Sequence, residues 1–214
     1  MGGSRCAAIV GPYLCGKTTV LESLLFTAGA IHRKGTIKEG NTVGDASAEA
    51  QGRQMSTEIS YSGMNYLGDD WTLLDCPGSI ELMQEYLNAL NVADTAILVV
   101  EPVIERATTL SPIFKALENR DTPHMVFINK VDTLTAQIPD VLAAIRAVSN
   151  NPLLLREYPI TENESVTGYV DLISRRAYTY VDGSESNEIE FPPHLTEEIE
   201  IARGEMLEIV ADFD

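Results

Sequence analysis

Gly11-Pro12-Tyr13-Leu14-Cys15-Gly16-Lys17-Thr18, with Thr19 behind it, sets two glycines, a lysine and a hydroxyl at the spacing of a phosphate-binding loop. The chemistry demands these residue types. Glycine lets successive backbone N–H groups turn toward phosphate oxygens where a Cβ would crowd them. A helix opening at Gly16 presents its positive end to the anion, Lys17 carries a point charge to the β- and γ-phosphates, and the Thr18 hydroxyl offers a ligand to Mg²⁺. The loop therefore selects a nucleoside di- or triphosphate with its metal ion.

Two further tetrapeptides bear on the same ligand. In Asp75-Cys76-Pro77-Gly78 a carboxylate can hold a water on the phosphate-bound Mg²⁺, and the glycine N–H can meet the γ-phosphate. Alone, Asp-x-Pro-Gly is also ordinary turn chemistry. In Asn129-Lys130-Val131-Asp132 the Asp132 carboxylate can accept from the adjacent N1–H and N2–H₂ donors of guanine, a pair that adenine lacks. A site built for such donors rejects an analogue without them by roughly 10⁴–10⁵. The Lys130 stem can lie along the base, and Asn129 can tie the loops together. Alone, this tetrapeptide reads as a polar strand end with a helix N-cap at Asp132. Behind the other two it reads as guanine recognition.

Strands are needed to carry these loops. Apolar runs predict them at Cys6–Val10, Ile59–Leu67, Trp71–Asp75, Ala96–Val100 and Met125–Ile128. The second and third join as a hairpin at Gly68-Asp69, the one antiparallel step in a sheet otherwise covered on both faces. Helical spacing covers Thr18–Thr27, Ile80–Leu90, Thr108–Glu118 and Pro139–Val148. This alternation is that of an α/β fold with a three-layer, mostly parallel sheet, and the phosphate loop after its first strand makes it a P-loop NTPase fold. Between Arg33 and Thr57 periodicity vanishes, which predicts a long functional loop. After Asn150-Asn151-Pro152 the character changes. Arg156–Thr161, Gly168–Ile173 and Ala177–Val181 read as short strands, and Glu197–Val210 as a charged helix. We expect residues 1–150 to form the P-loop, nucleotide-binding core and residues 151–214 a small α+β insert.

At 214 residues and 44% hydrophobic content the chain can bury a sizeable core. No apolar run is long enough to span a bilayer, and the N-terminus leads straight into the first strand, so neither a membrane span nor a signal peptide is expected. Cys6, Cys15 and Cys76 lack metal spacing and read as reduced thiols of a cytoplasmic protein. An alkylating reagent at Cys15 is expected to compete with nucleotide. The net charge of −17 opposes non-specific nucleic-acid binding by this domain. Between Asp182 and Asp214 eleven acidic side chains face Arg203 alone. That run reads as a solvated helix face or as an acidic docking surface for a basic partner. His32, His124 and His194 are expected to serve structure.

The order GPYLCGKTT, DCPG, NKVD resembles the translational GTPases, and the surrounding residues resemble elongation factor G and its paralogues. Gly29-Ala30-Ile31-His32-Arg33-Lys34-Gly35 is similar to that family's Gly-x-Ile-His-Lys-x-Gly segment. Arg53-Gln54-Met55-Ser56 stands where the family's Arg-Gly-Ile-Thr closes the first switch. Thr167-Gly168-Tyr169-Val170-Asp171-Leu172 is similar to the Gly-x-Val-Asp-Leu strand of the family's insert. The resemblance implies a GTPase that hydrolyses GTP to GDP and phosphate. It implies guanine-nucleotide contacts from Gly11 through Thr19 and from Asn129, Lys130 and Asp132. Mg²⁺ would be held by Thr18, Ser56 (or Thr57, one step on) and Asp75. Lys17, Asp75 and Gly78 would support catalysis, and the full-length protein would meet the ribosome.

Three departures weaken hydrolysis more than binding. Ser79 replaces the family's second-switch histidine, which positions the hydrolytic water. Leu14 replaces an aspartate of the phosphate loop. Ser56 replaces a threonine and keeps the ligand. We therefore expect slow GTP hydrolysis or, alternatively, a GTP-binding regulatory module with little or none; an ATPase or nucleotide kinase is disfavoured by Asp132. The family's last guanine-contacting loop does not occur after Gly183, so the chain is expected to be an N-terminal piece that holds nucleotide weakly.

Overall fold

Ala7, Ala8, Ile9 and Val10 are each 1% exposed or less, as a continuous apolar run in the middle of a covered sheet must be. They lie in β1 (Ser4–Val10) of a computed structural model that describes residues 3–45, 47–133, 137–162, 165–181 and 184–212. The chain divides into two units, Met1–Lys130 and Val131–Asp214.

In the first unit α1 (Lys17–Thr27) follows β1, and α2 (Ala48–Arg53) lies in the long connection to β2 (Ser60–Tyr66). Next come β3 (Asp69–Asp75), α3 (Met83–Leu90), β4 (Thr95–Val100), α4 (Ser111–Glu118) and β5 (His124–Ile128). The strand order is β2-β3-β1-β4-β5. β1 runs parallel to β3 and β4, and β4 to β5, while β2 pairs antiparallel with β3 as the hairpin requires. Residues of α1 (Val20, Leu21, Leu25) close one core over Ala7, Ile9, Leu73 and Val99. The mostly parallel α/β sheet expected from the sequence is the sheet observed.

The differences have local causes. The stretch from Arg33 to Thr57 contains α2, whose six residues bury only Ala50 and so leave no helical stripe to read. Ser47 starts it, its hydroxyl accepting from Ala50 N–H at 3.2 Å. Ile80–Leu90 divides into a 3₁₀ turn over Ile80–Leu82 and then α3. Thr108–Glu118 divides in the same way, with Pro112 in the first turn of α4. On the edge strand β5, Met125 and Phe127 are 56% and 41% exposed, so that strand is not covered on both faces.

The second unit holds α5 (Ile138–Arg146), strands β6 (Glu157–Glu162), β7 (Ser165–Asp171), β8 (Arg176–Thr179) and β9 (Glu188–Ile189), and α6 (Thr196–Ala211). Its strands form an antiparallel sheet in chain order. Ile199 and Met206 of α6 join Ile160, Val170, Leu172 and Ala177 in its core. Glu197, Glu198, Glu200, Glu205 and Glu208 stand exposed on α6, as a solvated face would. Asp182 and Asp214, the limits of the acidic run, lie outside the described residues.

Phe114 is fully buried and meets the His124 ring edge-on at 5.8 Å, which makes His124 a packing residue. Phe114→Ala should cost about 3–5 kcal/mol by removing that ring from a filled core. A urea-denaturation loss below about 1 kcal/mol would contradict this packing.

Candidate nucleotide-binding site

Because β1, β3, β4 and β5 run parallel, their C-terminal ends open on one edge of the sheet, the usual ligand edge of such folds. The loop after β1 is held in a shape only particular residues permit. Gly11 has φ +149°, and a Cβ there would stand 2.2 Å from the Val99 carbonyl oxygen. Gly16, at φ +92°, caps α1, and its Cβ would stand 2.3 Å from Asn129 Nδ2. Leu14 takes φ +63° without being glycine, a conformation that costs about 1–2 kcal/mol. Lys17 is 6% exposed and spans the loop, donating from Nζ to the Pro12 carbonyl at 2.9 Å.

The loop after β5 is tied to the first. Asn129 Nδ2 donates to the Cys15 carbonyl at 2.9 Å, the tying role its sequence position suggested. Lys130 Nζ donates to the Leu14 carbonyl at 2.6 Å and pairs with Glu101 Oε1 at 2.6 Å. Glu101, the residue just after β4, also pairs with Arg106. Asp132 stands exposed on the 3₁₀ turn Val131–Thr133 of the second unit.

The last residue of β3 brings the acid. Asp75 has no solvent exposure, and its Oδ2 accepts from Thr18 Oγ1 at 2.7 Å. Thr18 Oγ1 also lies 3.3 Å from Ser56 Oγ and 3.3 Å from Asp45 Oδ2. Of Ser56 and Thr57, Ser56 is therefore the one beside Thr18, and Thr57 instead lines a groove with Ser47, Glu49 and Leu82. At Gly78 a Cβ would stand 2.3 Å from Lys17 Nζ and 2.6 Å from the Pro12 carbonyl oxygen, so glycine alone lets this turn rest on the phosphate loop. Ser79 donates its hydroxyl to Glu81 Oε2 at 3.1 Å.

Asp45 and Glu101 are site residues that sequence reasoning missed. Each is one of 32 acidic residues in the chain, and neither sits in a recognisable spacing. Cys15 is 1% exposed and burial raises its thiol above the ordinary value, so it packs beneath the loop rather than standing open to an alkylating reagent. Burial and the neighbouring Asp75 push the Cys76 thiol up to about 12.

Mg²⁺ takes hard oxygen ligands, and the residues present suit it. Thr18 Oγ1, Ser56 Oγ and the Asp75 carboxylate cluster together, and Asp75 Oδ1 is buried with no hydrogen-bond partner among the described residues. Burial pushes the Asp75 carboxyl up to about 7; the Thr18 hydroxyl and Lys17 ammonium pull it down, and Asp45 and Glu22 push it further up.

That shift makes a stability statement. The folded, nucleotide-free protein keeps a proton on Asp75 that the unfolded chain gives up near 3.8, so this group's contribution falls as pH rises from there to about 7. Asp75→Asn should remove the dependence. The nucleotide-free variant should gain melting temperature over wild type at about pH 8 and gain little at about pH 5. Equal differences at both pH values would argue against a buried, proton-holding Asp75.

The model of the elongation factor Tu GTP-binding domain matches residues 3–204. An elongation factor G-like protein of Synechocystis sp. is 49% identical over 210 residues, covering 98% of this chain and 31% of that protein. Elongation factor G of Thermotoga petrophila is 31% identical over 202 residues, covering 93% of this chain and 29% of its own length. A crystal structure of a Thermus thermophilus protein superposes with a TM-score of 0.90 at 30% identity, over 98% of this chain and 31% of that one. The chain thus spans under a third of the relatives it matches. With the phosphate loop, the Asp75 turn and the Asn129-Lys130 tie all on one sheet edge, the chain belongs to the elongation factor Tu GTP-binding domain family.

Proposed function

We propose that this chain is the GTP-binding domain of an elongation-factor-G-like translation factor that hydrolyses GTP slowly. Residues 1–150 would carry the nucleotide chemistry and residues 151–214 the insert. The observation that carries the reading is Thr18 Oγ1, which meets Asp75 at the end of β3 and both Ser56 and Asp45 from the connection between α1 and β2. A hydroxyl at the foot of a phosphate loop with those neighbours suits a metal–triphosphate ligand. Backbone N–H groups from Gly11 to Thr19 would hold the phosphates, and Lys17 would leave the Pro12 carbonyl to meet their outer oxygens. Thr18, Ser56 and Asp75 would hold Mg²⁺, directly or through water. Mg²⁺, when bound, neutralises charge on the β- and γ-phosphate oxygens. The Gly78 N–H would face the γ-phosphate, Lys130 would flank the base, and Asp132 would accept from its N1–H and N2–H₂.

Ser79 supports slow turnover. Its one-carbon hydroxyl is turned to Glu81, and it has neither the reach nor the charge of an imidazole. Loss of one well-placed catalytic group typically costs about 10²–10³-fold. Ser79 and Leu14 together favour the second reading, a GTP-binding regulatory module with little or no hydrolysis. The ribosome is the proposed partner and the cytoplasm the proposed compartment. Among the described residues no helix is long and apolar enough to cross a membrane.

Two experiments test this. GDP with Mg²⁺ should bind and ATP should not compete, and Asp132→Ala should weaken GDP by at least about 100-fold. Binding of ADP in preference to GDP would end the guanine reading. In single-turnover hydrolysis on ribosomes, the full-length protein with Ser79→His should outpace wild type by about 10²-fold or more. A wild type already turning over as fast as the histidine variant would refute the claim of impaired hydrolysis.

A further inference from the structure

Glu22 sits on the buried side of α1, five residues beyond Lys17, and is 1% exposed. A carboxylate taken out of water needs a cation or several N–H donors. Its donors come from outside the helix. Oε2 accepts from Gly35 N–H at 2.7 Å and Oε1 from Val43 N–H at 2.5 Å, both in the long connection between α1 and β2.

Between those two points the chain closes on itself. A Cβ on Gly35 would stand 2.4 Å from the Asn41 carbonyl oxygen and 2.7 Å from Thr42 Cα. Thr36 N–H donates to Asn41 Oδ1 at 2.7 Å, and the Asn41 amide donates to Glu39 Oε2 at 2.9 Å. Just past Val43, a Cβ on Gly44 would meet Asp75 Oδ2 at 3.2 Å, and the Gly44 carbonyl accepts from Ser60 Oγ. The closed segment thus hands Asp45 to Thr18. The second half of the connection is held differently. α2 buries only Ala50, and Gln51 Nε2 reaches the Gly40 carbonyl at 3.0 Å on an exposed face.

We propose that Glu22 is a positioning residue for the metal site. It fastens residues 35–43 to α1 in every nucleotide state, and so divides the connection into a fixed half that sets Asp45 and a half, 47–57, that carries Ser56 and responds to the γ-phosphate. This rests on the guanine-nucleotide reading above, except for the clamp itself, which concerns the nucleotide-free fold.

Hydrogen exchange on the 214-residue chain, nucleotide-free, with GDP and Mg²⁺, and with a non-hydrolysable GTP analogue and Mg²⁺, tests it. The Gly35 and Val43 amides should be protected in all three states, while protection of 47–57 changes with the analogue. Glu22→Gln keeps one acceptor oxygen and loses the other, so one of the two amides should exchange at least about tenfold faster. The same variant should need about tenfold more Mg²⁺ for half-maximal binding of the GTP analogue, with Mg²⁺-free GDP affinity unchanged. Glu22→Asp, one methylene too short to reach both amides, should behave like Glu22→Gln. Wild-type Gly35 and Val43 amides exchanging as fast as unprotected ones would overturn the clamp, whether or not the variants fold. Equal weakening of GDP and GTP analogue in Glu22→Gln would overturn the positioning role and leave a merely structural one. If wild type binds no guanine nucleotide while the clamp protection holds, the functional reading fails and the clamp stands.

Discussion

A carboxylate with no exposure to water must satisfy two oxygens, and among the described residues Asp75 satisfies only one of them. The Thr18 hydroxyl takes Oδ2, Oδ1 has no partner among the described residues, and burial holds the group near neutrality. This single contact joins the end of β3 to the start of α1. It can form only because β1 and β3 are parallel neighbours, which sets both following loops at the same edge. The rest of the site is arranged around it.

Close approach is the second constraint. At Gly11, Gly16 and Gly78 a side chain would collide with backbone, an amide or an ammonium, so three loops meet at distances that exclude a Cβ. Two residues that are not glycine adopt left-handed backbone at the same place. Leu14 and Lys130 have φ of +63° and +58°, and the Lys130 ammonium donates to the Leu14 carbonyl. The strain at each is offset by contact with the other and by the Glu101 carboxylate. A loop held this way is pre-shaped for an anion, which reduces the ordering that binding would otherwise require.

Charge is distributed to match. Lys17 and Lys130 carry positive charge at the phosphate-loop edge, while α6 of the second unit displays its carboxylates to solvent. Pairs such as Arg146–Glu205 and Arg175–Glu200 lie on that exposed surface, where ion pairs contribute little stability. The acidic helix is held by Ile199 and Met206 against its own sheet, not by its charges.

Much of this was legible in the order of residues because the relevant physics is local. The glycine spacing of the phosphate loop, the period of α1 and the apolar runs of β1 and β4 each depend on neighbours a few positions apart. The loops Asp75–Gly78 and Asn129–Lys130 could be read because each directly follows such a run. What tertiary structure alone decided was which distant polar residues share a contact. Asp45, Glu101 and Glu22 carry no local signature, and each has a site contact far along the chain, 27, 29 and 21 positions away at Thr18, Lys130 and Val43. Helix α2 escaped for a related reason, since six residues with one buried side chain show no period. A buried carboxylate is recognised by the donors that surround it, and those donors are assembled only when the chain folds.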